Sequence, residues 1–401
     1  MAGKPGGMTT ALAPARRRHA PWSSEPARIE ALDLVRLLAV LGMIATHLMV
    51  PLATVPTASG VERTMAEVTG TLAEGTTSTL FAVLGGASLV LAARGRLRNG
   101  DRRGAVLAGA VRGALIAGVG LVLELLPSAV MVVLVPFGLS MMIASPLLLV
   151  RSRTLLVIAG LLAAGGSSLR AVVPGEVTLG APTLPGLTDP VTVVRGLFLT
   201  GMYPVLTWLP FLLAGMVLVR SLLRWEQEGR AARWSVRALL LGSAAALTAY
   251  GVSAAVEAVG AGEDALTRPL LARPHTGTPG DMIATVGVSV AVIAAAVLVL
   301  PPAKHPGSAP VRALRAAGAA PLTIYAGHVL LTAAAMLAAV FASGGDLTTV
   351  PWYVAGAGIL LVHVALALAL GGALAALDRR GPLEALVSGS VRRAVRALSS
   401  R

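Results

Sequence analysis

The chain has 401 residues and no cysteine, few aromatic side chains and little charge. Without cysteine there is no Cys-ligated metal, no thioester-forming nucleophile and no thiol redox site. Phe, Trp and Tyr together make up 3% of the residues and charged side chains 13%, about half the charged share of a soluble protein. That shortage excludes a soluble enzyme, a disordered chain and a disulfide scaffold. Acidic residues are the scarcer sign, with 19 Asp and Glu against 33 Lys and Arg and a net charge of +14. In an apolar chain this excess reads as the positive-inside rule, and nucleic acid is not expected as a partner.

What is abundant is apolar mass. Hydrophobic residues make up 55% of the chain, dominated by Ala, Leu and Val, and 45 glycines allow close helix contact. Ten apolar segments follow one another from Ala31, at about 31–53, 76–93, 104–126, 129–150, 154–172, 196–219, 238–259, 281–301, 317–342 and 351–377. Each is near the ~20 residues that a bilayer crossing needs. Pro136 and Pro146 interrupt the fourth. With both ends inside and every segment crossing, 26 of the 33 Lys and Arg fall on the inner side and five on the outer. One missed helix would invert every later loop and destroy that asymmetry. The expected fold is therefore all-α: a polytopic integral membrane protein with about ten transmembrane helices in one bundle.

Residues 1–30, with Arg16, Arg17 and Arg18 and no apolar run, read as a disordered basic cytoplasmic tail without a cleavable signal peptide. Residues 31–377 form the membrane domain, and 378–401 a second basic cytoplasmic tail. The outer loops 54–75, 173–195 and 260–280 are rich in Gly, Pro and Thr. The expected location is the cell membrane, with multiple passes and both termini cytoplasmic.

Polar side chains inside crossings are expensive and mark function. They are Arg36, His47, Arg112, Glu124, Glu257, His328 and His363. Glu124 and Glu257 lie near outer ends, where they reach water. His363 reads as a structural histidine. Arg36 and His47 are eleven residues apart, a rise of about 16 Å with nearly whole turns, so they share one face of the first segment. Arg36 also has simpler uses: snorkelling to the inner headgroups, or pairing with Asp33 three residues back. His47 is too short to snorkel and has no other strong polar group at its depth.

The stretch from Arg36 to His47 resembles the Arg-x10-His signature on the first helix of acyltransferase 3 family membrane proteins. Its lead-in Leu32-Asp33-Leu34-Val35-Arg36, the run Leu80-Phe81-Ala82-Val83-Leu84-Gly85-Gly86 and the Tyr325-x-x-His328 spacing are similar to that family too. Other stretches resemble bacterial relatives of heparan-alpha-glucosaminide N-acetyltransferase: Tyr203-Pro204-Val205-Leu206-Thr207-Trp208-Leu209-Pro210, Arg273-Pro274-His275-Thr276-Gly277-Thr278-Pro279, and Arg380-Gly381-Pro382-Leu383-Glu384. The first outer loop lacks the histidine of the heparan-type enzymes, and Phe81 is the aromatic left in the second segment.

The resemblance implies a transmembrane acyltransferase. Acetyl-CoA or another acyl-CoA would be the co-substrate, and a carbohydrate or lipid-linked molecule at the outer face the acceptor. No metal is expected. A multi-pass transporter or flippase for a cell-envelope precursor is the competing reading, although the repeated halves common in transporters are not seen. Acyl transfer from a thioester needs a base for the acceptor proton, and His47 fits that role. CoA phosphates need a cation, which Arg36 offers at the inner end, with Arg112 as a second candidate or a headgroup anchor. His275, in a loop of defined turns, either touches the acceptor, acts as a second base, or is an ordinary loop histidine. His328 either lines the acyl path or makes a structural bond with Tyr325. His19 and His305 receive no role.

Overall fold

The computed structural model describes residues 30–172, 189–262, 264–300, 308–345 and 349–399. All regular elements among them are helical. They are α1 (Glu30–Met49), α2 (Gly60–Ala73), α3 (Thr76–Arg98), α4 (Arg102–Leu123), α5 (Leu134–Ala144), α6 (Ser152–Val172) and α7 (Pro190–Arg195). Then follow α8 (Val205–Gln227), α9 (Ala231–Ala258), α10 (Pro279–Val299), α11 (Ala309–Gly318), α12 (Pro321–Ser343), α13 (Ala357–Leu377) and α14 (Pro382–Ser399). Among the described residues, nine helical stretches are long and apolar enough to cross a membrane. Large apolar side chains such as Leu240, Leu247, Leu361 and Phe341 point outward, as a lipid-facing surface requires. The protein is a polytopic bundle of membrane helices.

The fourth expected crossing is the shorter one. Its apolar stretch is helical over Leu134–Leu149 only, with Pro146 turning the end into a 3-10 turn. The residues before it, Val130, Val132 and Val133, are non-helical and buried within the protein. Unwound backbone at membrane depth must find partners inside the protein. Here the Val133 N–H donates to the Tyr325 hydroxyl (3.3 Å), which in turn donates to the Met131 carbonyl (3.4 Å). At the other end, the Arg220 guanidinium donates to the Val150 and Leu148 carbonyls at 2.7 and 2.8 Å.

Other differences from expectation have local causes. The sixth crossing starts at Val205 rather than near 196, because Gly196–Thr200 forms a π turn and Pro204 begins the helix afresh. Loop 54–75 contains α2, opened by a capping box in which Ser59 and Glu62 serve each other's backbone. The tail after 378 carries the amphipathic α14, whose Val387, Val391 and Val395 are buried and which packs on α4 and α12. The expected tail at 1–30 lies, except for Glu30, outside the described residues, as do His19 and His305.

The helices that frame the site are α1, α3, α8, α10, α12 and α13. Helices α3 and α8 touch backbone to backbone. A Cβ on Gly86 would lie 1.9 Å from the Leu212 carbonyl oxygen, and one on Gly215 would lie 1.8 Å from that of Val83. Only glycine permits such an approach. The core runs through α1, α3, α5, α8 and α12, with Tyr325 wholly buried within it.

Candidate active site

Helix α1 places Asp33 and Arg36 near one end and His47 near the other. Arg36 is engaged where it sits. Its Nη1 pairs with the Asp33 carboxylate, and its Nη2 donates to the Ser88 hydroxyl of α3 at 3.0 Å. The Ser88 proton is committed to the Leu84 carbonyl at 2.6 Å, so its oxygen is an acceptor for Arg36. Asp33 is 2% exposed, a carboxylate that needs such a cation beside it.

At the far end of α1, His47 meets helix α12. Its Nδ1 lies 3.2 Å from His328 Nε2, with the two ring planes within 6° of parallel. His363 of α13 stands edge-on to His328, ring centres 4.8 Å apart. His363 Nδ1 donates to the Ile359 carbonyl at 2.8 Å, and its Nε2 has no hydrogen-bond partner among the described residues. His328 and His363 are 2% and 4% exposed, whereas His47 is only half-buried. His47 is therefore the most exposed member of the trio. Among the described residues, no three His, Asp or Glu side chains are spaced to share a metal ion.

His275 approaches the same cluster from the loop before α10, close enough to act electrostatically on His47. Its backbone is left-handed (φ 61°), a conformation costly for a non-glycine residue. The loop is held around it. Asp281 accepts from the Gly277 N–H at 3.0 Å, while Thr278 accepts from the Asp281 N–H at 3.1 Å and caps α10. Gly277 lies against Thr207, and the Tyr203 ring stands edge-on to His275 at 5.5 Å. The Tyr203–Pro210 and Arg273–Pro279 stretches thus meet in space. Burial, and then the Arg170 guanidinium, hold the His275 imidazole down at about 4, so it is neutral at physiological pH. A crevice opens beside it, bordered by Ser78, Thr79, Thr207, Trp208 and Asp281.

The structure brings together His47, His328 and His275. It adds His363, read from the sequence as structural, and Asp281, which lay at the edge of a crossing. Arg36 contacts α3 through Ser88, whereas His47 contacts α12 through His328. Arg112 has Arg380, just before α14, and Glu384, in its first turn, as charged neighbours. Thr332 was not singled out in the sequence, yet its hydroxyl lies 3.4 Å from His328 Nδ1. A threonine in an apolar helix carries no signal; its position four residues after His328 was the one available clue.

Half-buried and buried imidazoles in mutual contact, inside a bundle of membrane helices, define an integral membrane protein with a histidine cluster in its interior. The heparan-alpha-glucosaminide N-acetyltransferase catalytic family model matches residues 28–253, more than half of the chain, and the chain belongs to that family. This places it among membrane acetyltransferases. The match includes Arg36, His47, Arg112 and Tyr203, and ends before His275, His328 and His363. It bears out the heparan-type resemblance; the likeness to acyltransferase 3 proteins remains one of motif. No curated protein matches the chain.

Proposed function

We propose that the protein transfers an acetyl group from cytoplasmic acetyl-CoA to a carbohydrate or lipid-linked acceptor at the outer face of the cell membrane, with both termini cytoplasmic. The observation that carries this reading is the contact of half-buried His47 with buried His328 at 3.2 Å. His47 takes the proton from the acceptor hydroxyl or amine as that atom attacks the thioester carbonyl. The carbon–sulfur bond breaks, and the departing thiolate recovers the proton from His47. Thiolate leaves readily, so one base suffices. His275, with Ser78, Thr79 and Asp281 beside it, is the candidate contact for the acceptor at the crevice, which in this conformation has room for about one water. Arg36 offers its positive charge to a phosphate while it stays paired with Asp33 and bonded to Ser88. Arg112, with Arg380 nearby, is the second cationic position.

The test is acetyl transfer in proteoliposomes loaded with labelled acetyl-CoA and a panel of amino and hydroxy sugars. Loss of a general base costs about 10²–10⁴ in rate. His47→Asn should lose transfer to that extent while binding acetyl-CoA normally. A His47→Asn protein that folds and keeps most of its rate would remove His47 from the chemistry.

A further inference from the structure

We infer that Thr332, acting through His328, fixes which nitrogen of His47 is bare, and so makes Nε2 of His47 the reactive atom. The inference rests on the reading of His47 as the base and deepens it. Three bonds carry it. The Thr332 hydroxyl lies 2.8 Å from the His328 carbonyl and 3.4 Å from His328 Nδ1. It has one proton, and the shorter contact to a carbonyl, which can only accept, claims it. Toward His328 Nδ1 the threonine oxygen is therefore an acceptor, and His328 carries its proton on Nδ1. In neutral His328 the other nitrogen, Nε2, is then a lone pair. That lone pair faces His47 Nδ1 at 3.2 Å, so His47 must donate from Nδ1. The remaining nitrogen of His47, Nε2, is left without a proton.

His363 does not disturb this order. Its own proton is on Nδ1, committed to the Ile359 carbonyl at 2.8 Å, so it offers none that could claim the His328 lone pair. When His47 Nε2 accepts a proton, the Nδ1–H of the resulting imidazolium still points at the His328 lone pair, which favours the charged form. His328 and Thr332 are thus positioning residues, acting on the base without touching the acceptor.

Replacing Thr332 by valine would leave the His328 Nδ1–H facing a methyl group. His328 Nδ1 then has no partner in either tautomer, so the bias that the threonine oxygen gave to Nδ1–H is lost and His328 moves towards the Nε2–H form. His328 Nε2 would then donate to His47 Nδ1, and the proton of His47 would move to Nε2, where no base remains. Thr332→Ser keeps the oxygen and serves as the conservative control.

The test reads the imidazole ¹⁵N resonances of the purified full-length protein at neutral pH, with His47 assigned by its loss in His47→Asn. The wild type and Thr332→Ser should show His47 bare at Nε2 and His328 protonated at Nδ1; Thr332→Val should show a proton on His47 Nε2. In parallel, kcat for acetyl transfer should fall about tenfold in Thr332→Val with KM for the acceptor unchanged. A protonated His47 Nε2 in the wild type, or the same tautomers in Thr332→Val, would overturn the inference. So would a shifted tautomer with unchanged kcat. If instead the tautomers behave as stated while His47→Asn stays active, the tautomer assignment stands and the reading of His47 as base fails.

Discussion

The Glu384 carboxylate receives the Thr323 hydroxyl at 2.5 Å and the backbone N–H groups of Leu322 and Thr323 at 2.7 and 3.1 Å. A residue of the C-terminal tail thereby closes the first turn of α12, the helix that carries Tyr325 and His328. The Thr323 hydroxyl oxygen also accepts the Leu383 N–H at 3.2 Å, so the two helix starts are clasped together. An anion at a helix N-terminus also meets the favourable end of the helix dipole.

Glu384→Ala should therefore lower the thermal midpoint of the purified protein, at a cost of about 1–3 kcal/mol for the uncovered donors. Glu384→Gln, which retains one acceptor oxygen, should lose less. Acetyl transfer at low temperature should fall far less than in His47→Asn, because the clasp holds α12 and does not touch the histidines. An unchanged midpoint in the alanine variant would show that α12 does not depend on the tail.

His275 should give the protein an acid-sensitive stability. Its imidazole is held at about 4, against 6.5 for an ordinary histidine. Between those values the unfolded chain binds a proton that the folded one does not, so stability falls as pH drops from 6.5 towards 4 and is full above 6.5. The shift corresponds to at most about 3 kcal/mol at the acid end. His275→Asn suits the comparison, because asparagine tolerates the left-handed backbone. Its thermal midpoint should depend less on pH across that window than the wild type's. Parallel curves would assign the acid sensitivity to other groups.

The crossings were legible because a bilayer forces long apolar runs and sorts Lys and Arg by side. His47 and His328 were legible because polarity inside such runs is costly. Their contact was not, since they lie 281 residues apart and no local pattern pairs α1 with α12. Helix α2 is hard to see in the sequence, because its capping box at Ser59 and Glu62 sits in a Gly- and Thr-rich stretch with little apolar mass. Ser88 and Thr332 gave no signal, because hydroxyl side chains bond back to their own helix and are tolerated anywhere in a crossing. The charged neighbours of Arg112, Arg380 and Glu384, were not legible, because they come from a segment more than 260 residues further along the chain.

The pairing of Arg36 with Asp33 dictates how the proposed binding of acetyl-CoA by Arg36 must be tested. Asp33 is 2% exposed, and removing one partner of a buried pair typically costs 3–5 kcal/mol. Arg36→Ala should therefore express poorly or unfold early, whatever the residue does for acetyl-CoA. Arg36→Lys keeps the charge, but one ammonium cannot reproduce a planar fork that reaches Asp33 and Ser88 together. The informative variant is the double one, Asp33→Asn with Arg36→Gln, which replaces the ion pair by two neutral amides of similar shape. It should hold a thermal midpoint near that of the wild type. Removing Asp33 takes a negative charge away from any bound phosphate, which alone would tighten binding. A fall in acetyl-CoA affinity, expected at about tenfold for the loss of a charge-assisted contact, is therefore attributable to Arg36. Titration calorimetry of the purified protein with acetyl-CoA measures it. If the folded double variant binds as tightly as the wild type, Arg36 is a structural ion-pair residue and does not hold the phosphates.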